Sequence, residues 1–286
     1  MPKFIEQMSK VLTVNDRTVF SMNLFKIKQL KQFTALFSFS IAVSSVSFAS
    51  SELDQAFFLL QTTTTGKQEL EEARRQAIPI VLGEVSKTEV LSTRQVQGKQ
   101  EKLFFKIKVL VAKDKSPVFQ ALDLAHELTH ALANQKNIFD PGLSANDYIR
   151  HGIESEGGEA AALVQECKVG RELSQMDEIN PETQELIKAR CQYVWNNENN
   201  HTKWLQSFYF LGNYYHQFLS HLNRFKAQAT EFTVEAKSPM FSSAVAHKPY
   251  AFALLEEYYS VTQAICSRAK SQKFLQRCQS IGYVPN

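Results

Sequence analysis

One segment of the sequence is apolar on nearly all sides when it is read as a helix, so the rest of the fold has to enclose it. It begins at Asp114 and reads DKSPVFQALDLAHELTHALANQ. Ser116 before Pro117 is an N-cap signal, and it predicts a helix of about five turns. Apolar residues fill one broad arc of this helix and also occur on its other side. This pattern predicts a helix in the interior of the protein.

Two stretches before this helix favour β-strands. They are IPIVLGEV from Ile78 and the alternating KLFFKIKVLVAK, which predicts a strand at about residues 102–112. Two short helices are predicted between Ser51 and Ala77, a loop after Asn134, and helices from Gly152 onward. The predicted fold class is therefore α+β and predominantly helical. A small sheet packs against the buried helix and a second helix downstream, and further helices follow toward the C-terminus.

The first 49 residues have the pattern of an export leader. Three lysines precede an uncharged stretch, and small residues follow it up to Ala49. This predicts a signal peptide at about residues 22–49 that is cleaved after Ala49, with either Met1 or Met22 as the true start. The uncharged stretch is shorter than the roughly 20 apolar residues of a membrane-spanning helix. We therefore expect a periplasmic or secreted protein without stable membrane insertion after cleavage.

Removal of the leader changes the charge balance. The whole chain has 32 basic and 29 acidic residues, and the leader holds six of the basic and two of the acidic ones. The mature chain is left with 26 basic and 27 acidic residues. A nucleic-acid-binding protein usually keeps a basic excess, so the composition argues against a nucleic-acid partner.

All four cysteines lie in the mature part of the chain. An even number of cysteines in an exported protein predicts disulfides, although four cysteines allow three connectivities. The pairing of sequence neighbours is the simplest, namely Cys167 with Cys191 and Cys266 with Cys278. None of them belongs to a CxxC pair, so a cysteine zinc site is not indicated.

The buried helix contains the sequence HELTH at residues 126–130. Residues four apart lie one above the other on a helix, so His126 and His130 can converge on one tetrahedral ion such as Zn²⁺. Glu127 would lie beside a water bound to that ion, as the general base for the water and the proton donor to the leaving amine. The alternative is that His126 and His130 are core residues whose rings are satisfied by neighbouring groups.

A catalytic zinc site of this kind needs a third protein ligand. A metzincin would have glycine at position 133 and histidine at position 136, but this sequence has Ala133 and Lys136. The acidic residues of GIESEGGEAAALVQECKVG, which starts at Gly152, are predicted to open the next helix instead.

With these features the sequence resembles the gluzincin metallopeptidases. HELTH, the run EGGEAAALVQE and the preceding strand carry the resemblance, over about residues 102–170. It implies a single metallopeptidase-like domain over residues 50–286, with residues 171–286 forming a helical C-terminal part. It also implies an edge strand, here Leu103–Val111, that pairs with an extended peptide.

The resemblance further implies that a glutamate on the second helix completes the zinc site. Gluzincin patterns place a small residue three positions after this ligand, and Glu159 has Ala162 there. Glu156 is the alternative third ligand, and the sequence leaves three further candidates open: Glu154, Asp147 and His151.

The expected function is zinc-dependent hydrolysis of a peptide or protein substrate outside the cytoplasm. The alternative is a non-enzymatic helical binding or structural protein in which His126 and His130 are buried. Three tyrosines are candidates to stabilise a developing oxyanion, and the sequence selects none of them: Tyr148, Tyr250 and Tyr258.

Overall fold

The computed structural model describes residues 51–97, 100–133, 140–224, 240–242, 248–268 and 274–282. The predicted leader at residues 1–49 lies outside this part of the chain. In chain order the elements are α1 Ser51–Thr62, α2 Thr64–Arg75, β1 Ile80–Gly83, β2 Lys87–Gln97, β3 Gln100–Ala112, α3 Pro117–Leu132, α4 Ala145–Glu154, α5 Glu159–Leu173, α6 Pro181–Asn196, α7 His201–Tyr209, a 3₁₀ turn Gly212–Tyr214, α8 Tyr215–Arg224, α9 Tyr250–Arg268 and α10 Leu275–Ser280.

The fold class predicted from the sequence is confirmed: the described chain is mostly helical, with a small sheet placed before the HELTH helix. The strands lie in the order β1-β3-β2. Strand β1 runs parallel to β3, with Ile80 opposite Val109, and β2 runs antiparallel to β3, with Thr88 opposite Val109. Val109 and Val111 on β3 are fully buried, as the period of two along this strand predicts.

The expectation that Leu103–Val111 is an edge strand is wrong. This segment belongs to β3, which is the central strand and pairs with β2 from Gln100 to Leu110. Strands β1 and β2 lie at the two edges of the sheet, and β2 was not predicted. Its sequence, KTEVLSTRQVQ, is polar and lacks a clean alternation of apolar residues.

Helix α3 lies in the interior, as predicted. Its apolar arc packs against β3 and against α1, α2 and α5, and Leu124, Ala125 and Leu128 are fully buried. The helix starts after Ser116, which takes the N-cap position but makes no side-chain capping hydrogen bond. Pro117 at the first helical position, whose fixed φ suits a helix, remains the local start signal.

The buried apolar residues form two clusters. One surrounds α3 and includes the sheet, and the other joins α4, α7, α8 and α9. Helix α5 contributes to both: Val169 packs in the first cluster and Ala160 in the second. Helix α5 therefore lies between the two clusters. None of the helices in the described ranges is long and apolar enough to cross a bilayer.

Two disulfides join sequence neighbours, Cys167 to Cys191 and Cys266 to Cys278. This is the simplest of the connectivities that the sequence allows. The first connects α5 to α6 and the second connects α9 to α10. In the chain-entropy account each link stabilises the fold by about 3 kcal/mol.

A carboxylic acid is buried beside α3. Glu69 on α2 is 7% exposed and accepts a hydrogen bond from Thr129 Oγ1 at 2.9 Å. Its other oxygen, Oε2, has no hydrogen-bond partner among the described residues. Burial raises the pKa of Glu69 to about 7, although Thr129 and nearby cations act in the opposite direction.

We expect Glu69→Gln to make the protein less sensitive to pH. The folded pKa of Glu69 lies above its ordinary value, so the neutral acid stabilises the fold fully below about pH 4.5. This stabilisation is lost as the pH rises from there through about 7. The loss amounts to about 3 kcal/mol. Glutamine cannot ionise, so the variant should gain about this much relative to the wild type between those pH values.

The measurement is urea unfolding of both metal-free proteins at a series of pH values. The difference between their free energies of unfolding isolates Glu69 from the other titrating groups. A difference that stays constant from about pH 4 to pH 8 would contradict the burial argument.

Candidate metal centre

Three side chains from two helices form a group that could hold a metal ion. His126 and His130 come from α3, and Glu159 is the first residue of α5. His126 Nε2 lies 3.3 Å from Glu159 Oε2, and His130 Nε2 lies 3.8 Å from Glu159 Oε1. The one-turn spacing of the histidines brings their rings together edge to face, with centroids 4.9 Å apart, on the side of the helix that faces Glu159.

The outer nitrogen of His126 is held by a buried carboxylate. His126 Nδ1 lies 3.0 Å from Oε2 of Glu166 on α5, and Glu166 is 1% exposed. An ionised carboxylate only accepts hydrogen bonds, so Nδ1 must donate and a neutral ring keeps its lone pair on Nε2. The pairing therefore fixes both the orientation and the tautomer that a metal ligand needs.

Glu166 is itself held by an ion-pair network. Arg190 Nε on α6 donates to Glu166 Oε1 at 2.5 Å, and Arg190 Nη2 donates to Asp123 Oδ1 at 3.0 Å. Burial acts to raise the pKa of Asp123, but Arg190, Lys115 and Ser86 hold it below its ordinary value. Glu166 and Arg190 precede Cys167 and Cys191 in the sequence, so the disulfide ties together the two helices that carry this ion pair.

His130 is held by the main chain. Its Nδ1 lies 2.7 Å from the carbonyl oxygen of Gly157, which can only accept, so Nδ1 donates here as well. Gly157 belongs to the short turn between α4 and α5, and a Cβ at this position would overlap the Cβ of Ala133 at the end of α3. The close approach of turn and helix that brings the carbonyl to His130 therefore requires glycine.

The structure groups Glu159 with the histidines and leaves Glu156 outside. Glu156 is an exposed residue of the turn before α5. Glu154 ends α4 and accepts a hydrogen bond from Tyr209, away from the group. Burial acts to raise the pKa of Glu159, but His130, His126 and the hydroxyl of Tyr250 hold it below its ordinary value.

The donor set fits zinc. Ligand atoms around a tetrahedral ion with bonds of about 2.0–2.1 Å lie about 3.3 Å apart, close to the separations of 3.3 and 3.8 Å found here. Burial acts to lower the pKa of His126, but the carboxylates of Glu159 and Glu166 raise it well above its ordinary value. The surroundings of Nε2 thus favour positive charge, which is the electrostatic condition for binding a cation.

Glu127 lies beside this group without belonging to it. Thr88 Oγ1, at the start of β2, lies 2.9 Å from Glu127 Oε2 and 2.8 Å from the carbonyl oxygen of Glu127. Burial raises the pKa of Glu127, and His130 and His126 act to lower it. The carboxylate is therefore oriented by a hydroxyl and is close enough to the histidines to interact with them.

The tyrosines that the sequence could not separate have different partners. Tyr250 forms a hydrogen bond with Glu159, and Tyr148 forms one with Glu257 on α9. Tyr258 donates to the carbonyl oxygen of Leu143 at 3.1 Å, which is a structural contact. Tyr250 therefore contacts the candidate ligand Glu159, Tyr148 contacts Glu257, and Tyr258 supports the packing of the helices.

Polar residues of the site that were missed from the sequence include Thr88, Glu166, Arg190 and Glu257. Signals for two of them exist. Glu166 lies seven residues after Glu159, which is two helical turns and hence the same face of α5. Glu257 stands in the same relation to Tyr250 on α9. No local signal identifies Arg190, because only tertiary packing brings it to Glu166.

Comparison with known proteins adds nothing to this description. No protein-family model matches the chain, and the searches of curated proteins and of solved structures find no match.

Proposed function

We propose that this protein is a zinc-dependent peptidase of gluzincin type that acts outside the cytoplasm. The observation that carries the proposal is the convergence of His126, His130 and Glu159, with both histidine Nδ1 atoms already engaged by acceptors. This leaves three lone-pair donors directed at one point, a common ligand set of catalytic zinc.

Glu127 acts as the acid and base of the reaction. A bound zinc ion supplies a Lewis acid that polarises the scissile carbonyl and makes water a nucleophile near neutral pH. The Glu127 carboxylate takes the proton of the attacking water and then passes it to the leaving amine. Thr88 holds Glu127 Oε2 in place, so the group does not have to reorient between the two transfers.

Solvent access supports a catalytic role over a structural one. The side chains of His126, His130 and Glu159 are 12%, 15% and 21% exposed. Structural zinc sites are usually closed by four protein ligands, whereas catalytic sites keep one position open to water or substrate. Three partly accessible ligands with a carboxylate beside them match the second type.

The edge strand β2 is suited to bind the substrate. It is the outermost strand beside Glu127, since Thr88 near its start contacts that residue. An extended peptide that pairs with this edge would run past the Glu127 carboxylate. In this proposal β2, and not Leu103–Val111, is the strand that pairs with the peptide substrate.

Two features support export. The leader pattern at residues 22–49 predicts secretion, and the paired cysteines are typical of proteins from oxidising compartments. The substrate is accordingly a peptide or protein of the periplasm or the medium.

The test is digestion of a mixture of peptides by the purified protein, with mass spectrometry to detect new termini. We expect cleavage that is lost when a chelator removes the metal and returns when about one equivalent of zinc is added. A protein that binds zinc at this site and cleaves nothing would contradict the proposal. A well-folded protein that binds no zinc would favour the non-enzymatic alternative.

A further inference from the structure

A second carboxylate lies next to the metal centre and belongs to α9. Glu257 follows Tyr250 by seven residues, so both lie on the same face of this helix. Tyr250 forms a hydrogen bond with Glu159, so this face of α9 is turned toward the centre. Glu257 interacts electrostatically with Glu159 and His130, yet it is not part of the group whose ligand atoms lie within 4.8 Å of one another. It therefore flanks the centre without being a ligand.

Glu257 is exposed to solvent beside two buried tyrosines. Its side chain keeps an exposed surface, although the neighbouring Tyr148 is 5% exposed and Tyr258 is 1% exposed. Burial raises the pKa of Glu257, and the charge of Glu159 acts in the same direction. Glu257 is thus open to solvent and lies close enough to the candidate ligands to interact with Glu159 and His130.

The hydrogen bond from Tyr148 orients this carboxylate but leaves its charge in place. A neutral hydroxyl occupies one direction of approach and leaves the other acceptor positions of Glu257 available. No lysine or arginine of the described chain forms an ion pair with Glu257, whereas its neighbour Glu256 is paired with Lys248 at 2.6 Å. The guanidinium of Arg277 donates to Thr262 and to the carbonyl oxygen of Asp140.

We infer that Glu257, oriented by Tyr148, binds a primary ammonium group of the substrate beside the scissile bond. This inference rests on the proposed peptidase function, since it names the substrate class of the same centre. The ammonium group is supplied either by the N-terminus of a peptide or by a lysine side chain. A solvent-accessible carboxylate that has one neutral hydrogen-bond donor and no cationic partner among the described residues can form charge-assisted hydrogen bonds with such a group.

The experiment measures peptide binding in a protein that does not consume the peptide. In the zinc-loaded Glu127→Gln protein, calorimetry compares a peptide that has a free N-terminus with its N-acetylated form. A second pair compares an internal lysine with norleucine, which has a similar length and no charge. We expect one free amine of these pairs to increase affinity by about 10- to 100-fold, as charge-assisted hydrogen bonds do elsewhere.

Glu257→Gln added to the same protein should abolish that difference and leave binding of the uncharged partner unchanged. Glu256→Gln is the matched control: it removes the adjacent carboxylate, which is already paired with Lys248, and should preserve the difference. Tyr148→Phe should give an intermediate loss, because the carboxylate stays but is no longer oriented. Zinc content and thermal unfolding of each variant identify any loss that is due to misfolding.

The acetylation pair and the norleucine pair distinguish the two sources of the amine. Discrimination that survives Glu257→Gln would overturn the inference, and so would equal binding of both members of each pair or no binding at all. Amine-dependent binding through Glu257 without cleavage by the wild type would keep the inference and overturn the peptidase. Cleavage at a rate that does not depend on a free amine would keep the peptidase and overturn the inference.

Discussion

Replacement of Glu127 by glutamine is expected to slow peptide hydrolysis by about 10²- to 10⁴-fold while the protein keeps its zinc. Glutamine has almost the same shape as glutamate and can still accept a hydrogen bond from Thr88, so the local structure should be maintained. It cannot take a proton from water or return one to the leaving amine. Metal binding should not change, because Glu127 is not one of the three grouped ligands.

The measurement combines turnover of a cleaved peptide with zinc content by mass spectrometry. Glu182→Gln on the exposed first turn of α6 is a control for the same chemical change away from the site, and it should behave as the wild type does. If Glu127→Gln hydrolyses peptides at the wild-type rate, this carboxylate is not the acid and base of the reaction. A second catalytic group would then have to be sought.

The second large effect concerns the metal itself. His126→Ala removes one of three ligand atoms, and Glu159 and His130 alone do not complete a tetrahedral zinc site. We expect about one zinc per chain in the wild type and almost none in the variant after dialysis against a weak chelator. Hydrolysis should disappear together with the metal.

Two variants make this result specific. His216→Ala removes an exposed histidine of α8 and should leave the zinc content unchanged. Glu166→Gln keeps all three ligands but weakens the partner of His126 Nδ1 and removes the ion pair with Arg190, so zinc affinity should fall by the smaller factor of about 10 to 100. Equal zinc content in wild type and His126→Ala would mean that the ion, if there is one, is bound elsewhere.

The sequence predicts best what short-range patterns encode. The interior position of α3 follows from apolar residues on nearly all sides, and the burial of Val109 and Val111 follows from alternation along β3. Strand β2 was missed because its residues are polar and it becomes a strand by pairing with β3. That pairing also determines which strand lies at the edge, so the expectation for Leu103–Val111 was wrong.

The same division applies to the candidate centre. The histidine spacing and Glu127 are local, so the sequence identifies them as candidates. The choice between Glu159 and Glu156 depends on where the turn at Gly157 ends and α5 begins, and that boundary depends on packing against Ala133. Contacts such as that between Arg190 and Glu166 join separate helices, so no pattern within either helix reveals them.

The hydrogen bond between Tyr250 and Glu159 has a consequence for biosynthesis. Tyr250 follows His130 by 120 residues, so the helix with both histidines leaves the ribosome long before α9 does. A growing chain can bring the two histidine side chains together early. At that stage neither Tyr250, which forms a hydrogen bond with Glu159, nor Glu257 has been synthesised. Peptides that approach this nascent chain meet an incomplete centre. The arrangement around Glu159 is therefore completed only after α9 has been synthesised and has packed against the earlier helices.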